Sequence, residues 1–189
     1  MLIALYLAAI VAANVLTAAL QPLDIGPFIV PAGTFLIGAT FIFRDLVQKR
    51  YGRATAYKII GVALIMSGTT SYILGDPLTI TLASAIAFVL SETTDTEIYT
   101  RLKLPLSWRV FYSGIVGGAL DSAAFVVIGL SPIGAGFLPW EAVSIVIIGQ
   151  IVVKSVMQAL GAVVISATIL GDGAIIKAKD DTKEGSKTL

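Results

Sequence analysis

At 189 residues, 57% of them hydrophobic and 13% charged, with a mean hydropathy of +0.92, the chain is too apolar for an ordinary soluble domain and suits a bilayer as solvent. A formal net charge of +1 offers no bulk attraction to nucleic acid. The absence of both cysteine and histidine excludes disulfides, thiolate nucleophiles, imidazole bases and His or Cys metal sites, so no cofactor is expected and chemistry is left to carboxylates, Lys, Ser/Thr and Tyr.

Met1 to Leu20 is almost wholly apolar and about long enough to cross a membrane; its one strongly polar side chain is Asn14. A cleaved signal peptide would carry a basic start, which this stretch lacks. Ala4, Ala8 and Ala12, with Ala9 and Ala13 beside them, form a ridge of small residues suited to close helix packing. Gln21 to Gly33 holds Pro22, Gly26, Pro27, Pro31 and Gly33 and reads as a loop, partly re-entrant. A second helix is expected from Ala32 to Lys49 and a third from Ala56 to Leu74, closed by Gly75-Asp76-Pro77.

The fourth helix, Leu78 to Tyr99, runs from an apolar stretch straight into Ser91-Glu92-Thr93-Thr94-Asp95-Thr96. An acidic residue at mid-bilayer costs roughly 2.5–3.5 kcal/mol, so a carboxylate there turns toward protein. Glu92, Asp95 and Tyr99 fall at i, i+3 and i+7, one helix face. Glu97 lies off that face near the helix end and reads as interfacial. The fifth helix is expected from Trp108 to Leu130 and the sixth from Trp140 to Leu170, with Ser131 to Gly136 as a glycine-rich connection. The expected architecture is thus all-α, a polytopic bundle of six transmembrane helices over residues 1–171. A short polar tail, 172–189, reads as disordered.

Basic residues orient the bundle. Lys49, Arg50, Arg53 and Lys58 flank the 2–3 connection, Arg101, Lys103 and Arg109 the 4–5 connection, and Lys177, Lys179, Lys183 and Lys187 lie in the tail; connections 1–2, 3–4 and 5–6 carry none. Six crossings put every cluster on one side, which the positive-inside rule makes the cytoplasm, with both termini there and the protein in the inner membrane. Two halves of three spans would then be antiparallel, as in a 3+3 inverted repeat.

Arg44 and Lys154 are the two of thirteen basic residues outside these clusters. Arg44, next to Asp45, is close enough to the basic end to snorkel or form a local ion pair. Lys154, fourteen residues past Trp140 at about 1.5 Å each, is near mid-helix and needs a partner. Asp121, twelve residues past Arg109 on the fifth helix, is the economical one. Gln150 and Gln158 extend Lys154 into an i, i+4, i+8 polar stripe. Asn14, Gln150 and Gln158 also suit interhelical hydrogen bonding. Phe35, Phe41, Phe43, Phe88 and Phe125 read first as packing, and Trp108 and Trp140 as interface anchors. Convergence of helices 1, 2, 4, 5 and 6 would build a cavity suited to a small, planar, hydrogen-bonding solute rather than a bare ion.

The motifs Ala13-Asn14-Val15-Leu16, Val30-Pro31-Ala32-Gly33-Thr34-Phe35, Asp45-Leu46-Val47 with Tyr51-Gly52, Ser91-Glu92-Thr93-Thr94-Asp95-Thr96 with Tyr99, Asp121-Ser122 with Phe125, and Gly149-Gln150 with Lys154, taken in series, resemble the VUT family of queuosine precursor transporters. The resemblance implies a six-helix inner-membrane importer, not an enzyme, for 7-cyano-7-deazaguanine or a related 7-deazapurine. It also implies substrate-binding roles for Asn14, Asp45, Glu92, Asp95, Asp121, Gln150 and Lys154. The expected partners are that small molecule and the lipid bilayer, with no nucleic acid; a homo-oligomer is left open. The alternatives are a substrate-binding S component of an energy-coupling-factor importer, which the alanine ridge would suit, and a carboxylate/Mg²⁺-dependent intramembrane enzyme.

Overall fold

The structure, a computed structural model, describes the backbone of residues 1–185 and the side chains of residues 1–167. Six α-helices dominate the described residues: α1 (Leu2–Ala19), α2 (Thr34–Tyr51), α3 (Arg53–Ile73), α4 (Leu78–Arg101), α5 (Leu106–Phe125) and α6 (Trp140–Gly185). Two short strands, β1 (Leu23–Ile25) and β2 (Phe28–Val30), join α1 to α2, and a π-helical turn, Val126–Leu130, extends α5.

The breakers set the boundaries. Gly26 at φ +60° and Pro27 make a two-residue connection between the antiparallel strands, with glycine in the first central position that a type II′ turn requires. The Gln21–Gly33 segment, read from its prolines as a partly re-entrant loop, is therefore a β-hairpin. Gly52 at φ +85° ends α2 and opens α3 by itself, because only glycine adopts that conformation without strain. Pro77 and Pro105 stand just before α4 and α5, where a missing N–H costs nothing. α6 runs past Leu170, so the segment from Asp172, read from composition as disordered, is helical through Gly185; residues 186–189 lie outside the described residues.

Neighbouring helices pack in chain order, and α2 also meets α6, which brings the first and last parts of the chain together. One apolar cluster joins Tyr6 and Ile10 of α1, Val47 of α2, Ile59, Ile60 and Ala63 of α3, and Phe88 of α4. A second joins Tyr99, Val110 and Ile165. Small residues let α5 press close: a Cβ on Gly117 would lie 2.9 Å from Cβ of Asp95 on α4, and one on Gly118 would lie 3.3 Å from Cβ of Lys154 on α6.

The burial pattern is the inverse of a soluble protein's. Arg44 and Asp45 are wholly buried while Ile65 is 71% exposed and Val163 65%, so the apolar surface faces outward as lipid contact demands. Among the described residues, three segments are long and apolar enough to cross a bilayer, Leu2–Ala19, Leu106–Leu130 and Trp140–Ala167. α2, α3 and α4, at 18, 21 and 24 residues, have the length of a crossing, but α2 and α4 carry charged side chains that the packing turns inward.

Gly117→Leu should force α5 off α4 and lower stability by about 1–3 kcal/mol. Gly68→Ala, where an added Cβ meets nothing within 4 Å, should stay within about 0.5 kcal/mol of the parent. Thermal unfolding of the purified protein in detergent, followed by circular dichroism, separates the two.

Candidate functional site

The polar interior is organised in two layers. The first is a cavity of about 110 Å³ to which all six helices contribute. It lies toward the ends of α1, α3 and α5 and the beginnings of α2, α4 and α6, the end of the bundle whose connections carry no Lys or Arg. Lys154 of α6 dominates it. Its Nζ donates to Asp121 Oδ2 at 2.7 Å, Ser122 Oγ at 2.8 Å and Gln150 Oε1 at 3.3 Å. These three acceptors satisfy the ammonium where water is scarce. Ser91 of α4 donates to Asp121 Oδ1 at 3.4 Å, so α4, α5 and α6 are tied at one place.

Gln150 is 3% exposed and lines the cavity, and with its carbonyl engaged by Lys154 its Nε2 has no hydrogen-bond partner among the described residues. An unmet buried donor costs about 1–3 kcal/mol, which a carbonyl or ring nitrogen of a bound solute would recover. Across the cavity Asn14 Nδ2 donates to Ser67 O at 3.1 Å and Ser67 Oγ at 2.9 Å. Thr17, Thr34 and Ser84 add hydroxyls, and Phe88 and Phe125 add apolar ring surface. At the rim, Ser71 donates to Asp76 Oδ2 at 2.5 Å.

The second layer lies toward the basic end, and its charged residues do not line the cavity. Arg44 sits at its centre, wholly buried. Its guanidinium pairs with Asp45 Oδ1 at 3.2 Å, with Glu92 Oε2 at 3.6 Å and with Asp95, and donates to the Thr96 hydroxyl and to Glu92 O at 3.1 Å. Ser113 of α5 donates to Asp45 Oδ2 at 3.3 Å. The planar fork with its five donors can serve several carboxylates at once, which an ammonium cannot. The i, i+3 spacing of Glu92 and Asp95 aims both at it. Tyr99, the third member of that face, is occupied from below: Arg109 stacks over its ring at 4.0 Å and donates Nε to Tyr99 O at 3.0 Å.

The seven residues singled out from the sequence thus divide. Asn14, Asp121, Gln150 and Lys154 line the cavity, and the expected Asp121–Lys154 pair forms. Asp45, Glu92 and Asp95 do not line it; they surround Arg44. The structure adds α3 to the cavity through Ser67 and Ser71, where sequence reasoning used only the other five helices. Glu97 is at the periphery as expected, bonded by Tyr57 at 2.5 Å and paired with Arg53 and with Arg101 at 3.3 Å. The serines were missed because serine is common in apolar helices. The signal that was present is the Gly114, Gly117, Gly118 run of α5, whose missing side chains leave room for Gln158, Asp95 and Lys154.

Arg44→Gln should be strongly destabilising, by about 3–5 kcal/mol, because three buried carboxylates lose their counter-charge together. The loss should shrink when Arg44→Gln is combined with Asp95→Asn. A double-mutant cycle on unfolding temperature measures that coupling.

The family model described as "Putative vitamin uptake transporter" matches residues 69–168, which is 100 of the 189 residues. The matched stretch runs from the end of α3 into α6 and includes Glu92, Asp95, Asp121, Gln150 and Lys154. Searches of curated proteins and of solved structures found no match. With apolar helices long enough to cross a bilayer, polar side chains gathered inside, and the family match over more than half its length, this chain is a membrane protein of the vitamin uptake transporter family.

Proposed function

We propose that the protein imports a small, flat, hydrogen-bonding heterocycle, 7-cyano-7-deazaguanine or a related 7-deazapurine precursor of queuosine or archaeosine, across the inner membrane. The observation that carries this reading is the cavity holding the Lys154–Asp121 pair, the Gln150 Nε2 with no partner among the described residues, and the rings of Phe88 and Phe125. A guanine-like ring presents N–H donors on one edge and carbonyl or ring-nitrogen acceptors on another. Asp121 would accept from the first, Lys154 and Gln150 would donate to the second, and Phe88 or Phe125 would cover a face. Size supports a compact cargo: about 110 Å³ is well below the roughly 300–1,000 Å³ of sites that take drug-sized ligands. The family as a whole is described as one of vitamin uptake, and the deazapurine assignment narrows it by this chemistry together with the motif resemblance.

In this reading the bundle crosses the membrane six times with its basic end in the cytoplasm. The cavity then lies on the outer side, and the Arg44 layer is the closure beneath it. Asp45, Glu92 and Asp95 act by holding α2 against α4 rather than by touching cargo in this conformation. Release inward requires Arg44 to let go of the α4 carboxylates, and the antiparallel halves α1–α3 and α4–α6 are the bodies that would move. The metal-dependent enzyme reading gains nothing here, since the buried carboxylates are engaged by Arg44 and Lys154.

Uptake of labelled 7-cyano-7-deazaguanine by cells unable to make it should be restored by this chain. Lys154→Met and Asp121→Asn should each cut initial uptake about tenfold or more, the equivalent of one charge-assisted hydrogen bond. Parent-like uptake by both variants would remove the cavity assignment.

One observation favours a second reading, the S component of an energy-coupling-factor importer: Ala4 and Ala8 are exposed on the outer face of α1, where another membrane protein would dock. Proteoliposomes containing the chain alone decide between the readings. Uptake without an ATPase partner removes the second; uptake only after adding such a partner removes the first.

A further inference from the structure

A second pocket lies at the opposite end of the bundle from the cavity. It has a volume of about 300 Å³ and is formed by Gln48 and Lys49 at the end of α2, Arg53 at the start of α3, Tyr99 and Thr100 at the end of α4, and Arg109 in the first turns of α5. Three cationic side chains from three helices converge on it, and no carboxylate is among the residues that line it.

The cations differ in how far they are already used. Arg53 is shared with Glu97 outside the pocket. Arg109 is held in place by stacking on Tyr99 and by its Nε bond to Tyr99 O, and its two Nη groups make no hydrogen bond among the described residues. Lys49 pairs with no acidic group among them. Two positive groups, one fixed in orientation, therefore face a hollow whose floor is polar and buried: Gln48 is 6% exposed and its Oε1 has no hydrogen-bond partner among the described residues, while its Nε2 donates to Thr100 Oγ1 at 2.8 Å. Arg53 opens α3 and Arg109 follows Pro105 at the start of α5, and neither helix has a side-chain cap, so the positive ends of both helix dipoles add to the same field.

We propose that this pocket binds the phosphate of an anionic phospholipid headgroup. The guanidinium of Arg109 offers a planar pair of donors that matches phosphate oxygens, Lys49 supplies a mobile point charge, and the free Gln48 carbonyl accepts a headgroup hydroxyl such as that of a glycerol. The lipid is favoured over a soluble anion by position. The pocket is at the level of Trp108 and Tyr51, exposed aromatics of the kind that mark the membrane boundary, and on the basic side of the bundle. Anionic lipids concentrate at that surface, and basic pockets between helices there take their headgroups. The inference is independent of the cargo, since the Arg44 layer separates this pocket from the cavity.

The full chain purified in neutral detergent tests it. Added phosphatidylglycerol should raise the unfolding temperature by on the order of 3 °C or more above the same amount of phosphatidylcholine, as expected for a ligand that binds only the folded state. The difference should disappear in Lys49→Gln/Arg109→Gln and diminish in Lys49→Gln, a change at an exposed residue with no partner to lose. It should persist in Lys58→Gln, which removes a charge outside the pocket. The proposal is overturned by equal effects of the two lipids, by an undiminished effect in the double and single variants, or by loss of the effect in Lys58→Gln. It is also overturned if inorganic phosphate at millimolar concentration reproduces the stabilisation, which would make the ligand a soluble anion.

Discussion

A guanidinium sealed from bulk solvent is the constraint from which the rest of this molecule follows. Arg44 is wholly buried, and in that position only carboxylates and carbonyl or hydroxyl oxygens can replace its hydration. Asp45 comes from its own helix, but Glu92, Asp95, Thr96 and the Glu92 carbonyl all come from α4, so α2 and α4 are held together over more than one turn. α5 closes the arrangement from the side, with Ser113 bonded to Asp45 and Gly117 thin enough to admit the Asp95 side chain. The apolar faces of these helices are then free to point at lipid, which explains how helices with charged residues fit among those that are plainly apolar.

The same logic operates at lower charge density in the cavity. Lys154 has one carboxylate, two neutral oxygen partners and a place in the cavity wall, where Arg44 has three carboxylates and does not line the cavity. A cation held partly by neutral side chains beside a hollow can exchange one of those partners for a guest; one enclosed by fixed charges cannot do so without a helix moving. This contrast, more than the count of polar residues, is what the proposed division into a recognition layer and a closing layer rests on.

Much of the architecture was legible in the sequence because lipid imposes long apolar runs and because proline and glycine punctuate them. Helix boundaries agree with the punctuation at Gly52, Gly75, Pro77 and Pro105. The hairpin was not legible: its strands are three residues each, too short for alternation to show, and Gly26-Pro27 is an equally good signal for an open loop. The helical continuation of α6 past Leu170 was masked by its change to polar composition. For the site, the depth of Lys154 and Asp121 left each little choice but the other. Glu92 and Asp95 were rightly placed on one inward face, yet periodicity gives a direction and not a destination. Whether that face met a hollow or a guanidinium depended on how α2 packs on α4, which no local pattern encodes. Arg44, read as a snorkelling side chain with a local ion pair, does pair with Asp45 but is wholly buried among carboxylates rather than reaching water.

Ser91 and Glu92 are consecutive residues on α4, one bonded to Asp121 beside the cavity and the other to Arg44 beneath it. An α-helix is stiff over so short a span, so any twist that withdraws Glu92 from its arginine also swings the Ser91 hydroxyl. Under the proposed function, occupancy above and latch below would therefore be coupled through a single rigid lever, with no relay of intervening side chains to carry the message. A transporter built this way would need no separate sensor to know when it is loaded.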